Sequence, residues 1–219
     1  MYNGERKRIS DAVVKRLPKY YKCLVNLAQE NVERTSSQEL SRLLGFTASQ
    51  IRQDFSNFGE FGQQGYGYNV EQLSKAIAKI LGLNTVHKMI IIGAGNLGQA
   101  LANYVNFDVH GFKTMAIFDV NPKLIGLKIR EVPILDIDKM KDFIDENDIE
   151  IAVITVPQDR AAEVAQILSE TNISGIWNFA PTELNVPDHI IVENVHLTES
   201  LFTLSYRINE VKISKMNTF

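Results

Sequence analysis

The 219-residue chain has a single cysteine, Cys23, on a helical pattern among tyrosines and leucines, so it cannot form an intramolecular disulfide, and it is expected to pack in the core and not to sense redox state through its thiol. No segment approaches the ~18 consecutive apolar residues a membrane span needs. The first ten residues, MYNGERKRIS, are charged where a signal peptide carries its apolar stretch, so a cytoplasmic protein with no membrane partner is expected. Histidine is scarce: His87 and His110 flank connections, His189 follows Pro187-Asp188, and His196 precedes the last helical pattern. None belongs to a visible acid/base pair, and there is no metal-ligand cluster or nucleophile motif, so neither a metal site nor a catalytic residue is expected. What the chain does have is 45% apolar residues, enough for one large domain or two modest ones.

The net charge of −3 conceals an asymmetry. Residues 1–84 hold 12 of the 23 basic residues and 8 of the 26 acidic ones, net +4, which leaves the remainder at −7. A basic first third joined to an acidic remainder suggests that only the first part meets a polyanion.

From Val14 to Ala28, Leu17, Tyr21, Leu24, Leu27 and Ala28 recur at helical spacing, with Pro18 tolerable only in a first turn. Ser36 followed by Glu39 forms a capping box; Leu40, Leu43 and Leu44 then share one face, and Gly45 stops the helix. Thr47 with Gln50 opens a third helix whose buried stripe is Ile51, Phe55 and Phe58. Two short helices joined through a glycine signal a helix-turn-helix. Ser49, Gln50, Arg52, Gln53, Ser56 and Asn57 on the third helix are able to hydrogen-bond a base edge or a phosphate, while Asp54 is repelled by phosphates and is expected to face the protein. The stretch FGEFGQQGYGY, with Gly59, Gly62, Gly65 and Gly67, suits short strands around a glycine-rich turn. A helix-turn-helix followed by a hairpin is a winged helix: glycines such as Gly65 let backbone N–H groups approach phosphate, while Tyr66 and Tyr68 can pack beneath the hairpin or reach DNA, Gly65 and Tyr66 being the wing's candidates for DNA contact. VEQLSKAIAKILGL then closes the domain, with Val70, Leu73, Ile77, Ile80 and Leu81 inward and a stop at Gly82.

In the acidic remainder, KMIIIGAGNLG runs from an apolar strand into Gly93-Ala94-Gly95-Asn96-Leu97-Gly98 and a helix, and the strand TMAIFD ends in Asp119, 21 residues beyond Gly98. This is the context of a dinucleotide fingerprint: Gly93 makes the turn, Gly95 admits the pyrophosphate, Gly98 lets helix and strand pack, and Asp119 bonds the adenosine ribose. An acid at 119 with no nearby arginine favours NAD(H) over NADP(H). REVPIL, a helix over 137–146, IEIAVITVP, a helix of Ala161, Val164, Ile167 and Leu168, SGIWNFA and IIVEN continue the alternation of a doubly wound parallel sheet. Pro157, Asn178, Ala180 and Pro181 fall at strand ends where the nicotinamide would lie. No second sizeable domain supplies a substrate pocket, so the cofactor is expected to be bound without being turned over.

Leu197, Leu201, Leu204, Ile208 and Val211 recur at spacings of 4, 3, 4 and 3, a heptad-like stripe that must be buried on its own domain or on a second subunit. The expected organisation is α/β: a winged-helix DNA-binding domain (1–84), a Rossmann-like domain for NADH or NAD+ (85–196), and a dimerisation helix with tail (197–219). An NAD-dependent oxidoreductase fused to a DNA-binding module, and a DNA-binding protein whose Rossmann domain only dimerises it, remain open on these residues.

From RLPKYYKCL through SQIRQDFSNFGEFGQQGYGY, IIIGAGNLGQAL and GIWNFAP to the tail, the chain resembles the bacterial redox-sensing transcriptional repressor family Rex. The resemblance implies a homodimer that binds palindromic double-stranded operator DNA near genes of NADH reoxidation, with the terminal helix swapped onto the partner, and NADH favouring a closed dimer that releases DNA. It also implies an interdomain switch that uses Arg16, Tyr104 and an acid just before the swapped helix. At that last position this chain has His196.

Overall fold

The computed structural model, which describes residues 9–59 and 66–216, divides into two units, residues 1–85 and 86–219. In the first, the helix expected from Val14 is two: α1 (Asp11–Val14) and α2 (Leu17–Gln29), with Pro18 in the first turn of α2. A continuous helix would set the Pro18 ring against the Val14 carbonyl, so the chain breaks at Lys15 and Arg16. The buried stripe becomes Leu17, Tyr20, Leu24 and Leu27, and Tyr20 replaces Tyr21 as the interior tyrosine.

After β1 (Arg34–Thr35), α3 (Ser37–Leu44) begins where Ser36 Oγ accepts the Glu39 N–H and ends at Gly45, whose φ of +74° is the left-handed C-cap that glycine adopts without strain. Leu40 is buried, but Leu43 is exposed instead of sharing its face, because it lies about 100° around the helix from Leu44. The helix α4 (Ala48–Ser56) is capped by Thr47, whose Oγ1 accepts the Gln50 N–H at 3.1 Å. Ile51 and Phe55 are buried, while Phe58 lies beyond the helix end and only packs on the core. The expected wing turn falls on residues 60–65, outside the described residues; beyond it β2 (Tyr68–Asn69) pairs antiparallel with β1, Thr35 opposite Tyr68. Asn69 caps α5 (Val70–Ile80), which buries Val70, Leu73 and Ile77; Ile80, expected inward, is exposed.

In the second unit seven strands form one sheet in the order β5-β6-β4-β3-β7-β8-β9. They are β3 (His87–Ile92), β4 (Phe112–Asp119), β5 (Lys128–Ile129), β6 (Val132–Asp136), β7 (Ile151–Ile154), β8 (Gly175–Asn178) and β9 (Ile191–Asn194). All pairings are parallel except β5 with β6, so REVPIL is not one strand: it contributes the turn and second arm of a hairpin, with Arg130 at φ +54°. The helices are α6 (Asn96–Ala102), α7 (Asn106–Val109), α8 (Met140–Asn147), α9 (Gln158–Ser169) and α10 (Leu197–Met216). Alternation along β3 sends Met89 and Ile91 to one core and Ile90 and Ile92 to the other, which is why this strand is apolar without interruption. The chain winds from β3 outward through β4 and β6, then from β7 through β8 and β9. The strand order therefore reverses between β3 and β7, and a crevice opens at their carboxyl ends.

Candidate functional site

Two sites are built, one in each unit. On α4, Ser49, Arg52, Gln53 and Ser56 are exposed and Gln50 is half-buried. Arg52 donates from Nη1 to Ser37 Oγ at 3.0 Å, so the first turn of α3 steadies its guanidinium, while Ser56 Oγ donates to Gln53 O at 2.8 Å. Tyr66 is exposed and its carbonyl accepts from Arg34 Nη1 at 2.7 Å, with the guanidinium 6.0 Å over the ring. Arg34 was not singled out by the sequence, since only the β1–β2 pairing brings it beside Tyr66. Gly65 lies outside the described residues.

Asp54 turns inward, as its charge required. Its Oδ2 accepts from Arg16 Nε at 2.6 Å and from Tyr20 Oη at 2.6 Å, and its Oδ1 accepts from Arg16 Nη2 at 2.7 Å. Asp54 and Tyr20 are both buried, and the Arg16 side chain is largely covered. Burial pushes the Asp54 carboxyl up, but the bonds from Arg16 and Tyr20 outweigh it and hold the group below the usual carboxylate range. Burial and the neighbouring carboxylate push the Tyr20 hydroxyl well above its ordinary value, which keeps it a donor. A carboxyl depressed in the folded state contributes stability that is present above its unfolded value of about 3.9 and lost as pH falls through the lower folded value. Urea unfolding from pH 5 downward should therefore show wild-type stability falling more steeply below about pH 4 than that of Asp54→Asn, whose stability is already lower at pH 7; parallel curves would deny Asp54 this role.

At the crevice, β3 ends in Gly93, at φ +103°, whose N–H donates to Phe118 O at 2.8 Å. Thr155, just past β7, donates from Oγ1 to Ile92 O at 2.9 Å and Gly93 O at 3.0 Å, bracing the turn from below. A Cβ on Gly98 would stand 1.9 Å from Gly93 O, so helix and strand pack there only without a side chain. A Cβ on Gly95 would meet nothing within 4 Å, which leaves a cradle over the turn. The first bond of α6 runs from Gln99 N–H to Gly95 O, so the N–H groups of Asn96, Leu97 and Gly98 precede it and have no partner within the helix. Asp119 accepts the Ala94 N–H at 2.6 Å and the Asn121 N–H at 2.8 Å, which fixes its carboxylate beside the turn. Ala94 itself is buried and serves through its backbone. This arrangement fits the diphosphate and ribose of a dinucleotide.

Beyond β7 and β8 the expectation is revised in part. Pro157 and Pro181 are exposed at strand ends, but the Ala180 side chain is buried. Asn178 is fully buried and spends both amide hydrogens, on Thr182 O and Asn194 Oδ1, each at 2.8 Å, while its Oδ1 accepts the Ala180 N–H. It shapes the loop and offers no free amide hydrogen to a ligand. Asn194 continues to Glu183 at 3.0 Å, and Glu183 lies 3.8 Å from His196 Nε2, residues that sequence spacing gave no reason to connect. Tyr104 lies in the break between α6 and α7, half exposed, against Phe107 and with its hydroxyl accepting from Asn106.

On α10, Leu197, Leu201, Leu204, Ile208 and Val211 are all exposed in the single chain. Phe202, Tyr206 and Ile213 are exposed as well and lie off that stripe, so the apolar surface extends to more than one side of the helix.

A family model described as "CoA binding domain" matches residues 84–182, and one described as "Putative DNA-binding protein N-terminus" matches residues 8–56. The chain is 57% identical over 208 residues to the redox-sensing transcriptional repressor Rex of Clostridium botulinum, covering 95% of this chain and 99% of the relative. Among solved structures it is similar to RSP, described as a Rex-family repressor. RSP in complex with β-NAD+ and operator DNA aligns at TM-score 0.90 and 53% identity over 96% of this chain and 97% of the other. RSP in complex with β-NADH aligns at TM-score 0.89 and 51% identity over 95% and 98%.

Proposed function

Because the chain belongs to the Rex family of redox-sensing transcriptional repressors, we propose that it is a cytoplasmic, homodimeric repressor that binds palindromic operator DNA and is released when NADH occupies its second unit. The observation that carries the reading is the turn after β3, open above Gly95 and closed at Gly98, in a chain that also presents the polar face of α4. The bound nucleotide acts as an effector and is not turned over. The N–H groups of Asn96 and Leu97 receive the diphosphate, Asp119 orients the ribose and repels a 2′-phosphate, and the ends of β7 and β8 border the nicotinamide with Pro157 and Pro181. Discrimination between the two forms requires surroundings there that penalise the cationic ring of NAD+ relative to NADH.

The DNA-binding surface comprises the exposed face of α4, with Ser49, Gln50, Arg52, Gln53 and Ser56 toward bases and phosphates, together with Tyr66 held by Arg34. The stripe of α10 is buried on the second subunit, swapped onto it, so that two wings face the two half-sites. Arg16 and Tyr104 serve the interdomain switch. Release requires different nucleotide affinities in the DNA-competent and released forms; coupling of ~1–3 kcal/mol gives a ~5–150-fold effect.

A gel shift on a palindromic duplex, titrated with NADH and separately with NAD+, tests the proposal: release is expected at far lower NADH, and an equal response to both rules out redox sensing. Arg52→Ala is expected to weaken operator binding by about 1–3 kcal/mol, the scale of one bidentate base contact, with NADH affinity by calorimetry unchanged. Loss of both together would mean that the variant is misfolded and that Arg52 has no specific role.

A further inference from the structure

We infer that Asp54 is a positioning residue for base recognition: with Arg16 and Tyr20 it sets the rotation and depth of α4, and through them the sequence preference of DNA binding. The inference rests on the repressor reading above. The helix α4 has nine residues, and its apolar anchors, Ile51 and Phe55, hold it through contacts that have no preferred direction. A rotation of about 20° would carry a side-chain tip, about 5–6 Å from the helix axis, through about 2 Å, enough to lose a bidentate base contact.

The Arg16–Asp54 pair supplies the missing direction. Its two parallel bonds, 2.6 and 2.7 Å, fix the plane of the carboxylate against the planar guanidinium. The anchor is itself rigid: the Arg16 carbonyl accepts the N–H groups of Lys19 and Tyr20 at the start of α2. Tyr20 is wedged edge-on against Phe46, in the turn before α4, at 5.6 Å and against Phe55 at 5.0 Å. Ser49, Arg52 and Ser56 lie about 140–160° around the helix from Asp54, so the buried carboxylate points away from the DNA face while the exposed residues point toward it.

A role confined to stability and one in positioning part company when the polar cluster is replaced by apolar side chains of similar size, which commonly preserves folding. The test uses the full chain without nucleotide, a palindromic duplex selected from a random pool by the wild-type protein, and a scrambled duplex of equal length. The triple variant Arg16→Met/Tyr20→Phe/Asp54→Leu is expected to unfold cooperatively and to keep wild-type affinity for the scrambled duplex, with the same salt dependence. Its preference for the selected duplex should fall about tenfold or more, the scale of one lost base pairing. Arg16→Lys, which keeps the charge but not the fork, should lose preference by about threefold or more, and it decides the matter if the triple variant does not fold. Wild-type preference in the folded triple variant, or in Arg16→Lys, overturns the inference. A wild-type protein that selects no palindrome overturns the repressor reading itself, and the two failures are distinguished by the wild-type arm.

Discussion

Gly98→Ala is expected to abolish NADH binding and to destabilise the second unit by about 1–3 kcal/mol or more, whereas Gly95→Ala is expected to leave stability within about 1 kcal/mol of wild type while also losing the nucleotide. The two glycines stand three residues apart in one turn, and what a methyl group would meet separates them. At Gly98 the Cβ would stand 1.9 Å from the Gly93 carbonyl oxygen and 2.9 Å from Thr155 Oγ1, so helix, turn or strand must move. At Gly95 the backbone has an ordinary φ of −71° and the space around a Cβ is open, so the protein has no use for the vacancy. A diphosphate lying on the N–H groups of α6 does use it. Urea unfolding with and without NADH, together with calorimetry, checks both halves. Wild-type NADH affinity in Gly95→Ala would remove the diphosphate from this turn, and undiminished stability in Gly98→Ala would contradict the packing described.

Leu204→Glu combined with Ile208→Glu is expected to convert the proposed dimer to a monomer at micromolar concentration and to lower operator affinity by about a hundredfold or more. Both side chains are about half exposed in the single chain, so the substitutions remove little from the fold of one protomer. In a two-fold dimer the pair counts twice. Burying the exposed half of four such side chains stabilises by roughly 3–6 kcal/mol, half of the about 1.5–3 kcal/mol of a full burial each, a large share of the association energy of a micromolar-to-nanomolar complex. The monomer keeps one recognition helix and loses the second half-site. Sedimentation equilibrium is the direct measurement. A variant that dimerises as tightly as the wild type would show that α10 is not the interface, and a dimer that no longer binds operator would place its effect elsewhere.

Much of the machinery was legible because it is local. The caps at Ser36 and Thr47, the stop at Gly45 and the strand-to-helix turn at Gly93 each depend on residues within a few positions of one another, and the spacing of side chains along the chain specifies them. The inward turn of Asp54 was legible for a different reason, since a carboxylate among phosphates is repelled whatever the fold. Its partners were not. Arg16 is 38 positions away and Tyr20 34, and nothing in the spacing of either points to the other end of the contact.

The same division holds across the second unit. The alternation of apolar strands and amphipathic helices determined a doubly wound sheet and the place of its crevice, because period-2 and period-3.6 burial patterns and short crossovers admit few other arrangements. Only the tertiary structure decided that Asn178 is spent inside its loop, that Arg34 braces Tyr66, and that the apolar stripe of α10 stays exposed among the described residues. Those outcomes turn on which distant groups satisfy a buried polar atom or a greasy face. That choice is made when the elements pack, by the cost of leaving such groups unpaired, and a linear sequence carries it without displaying it.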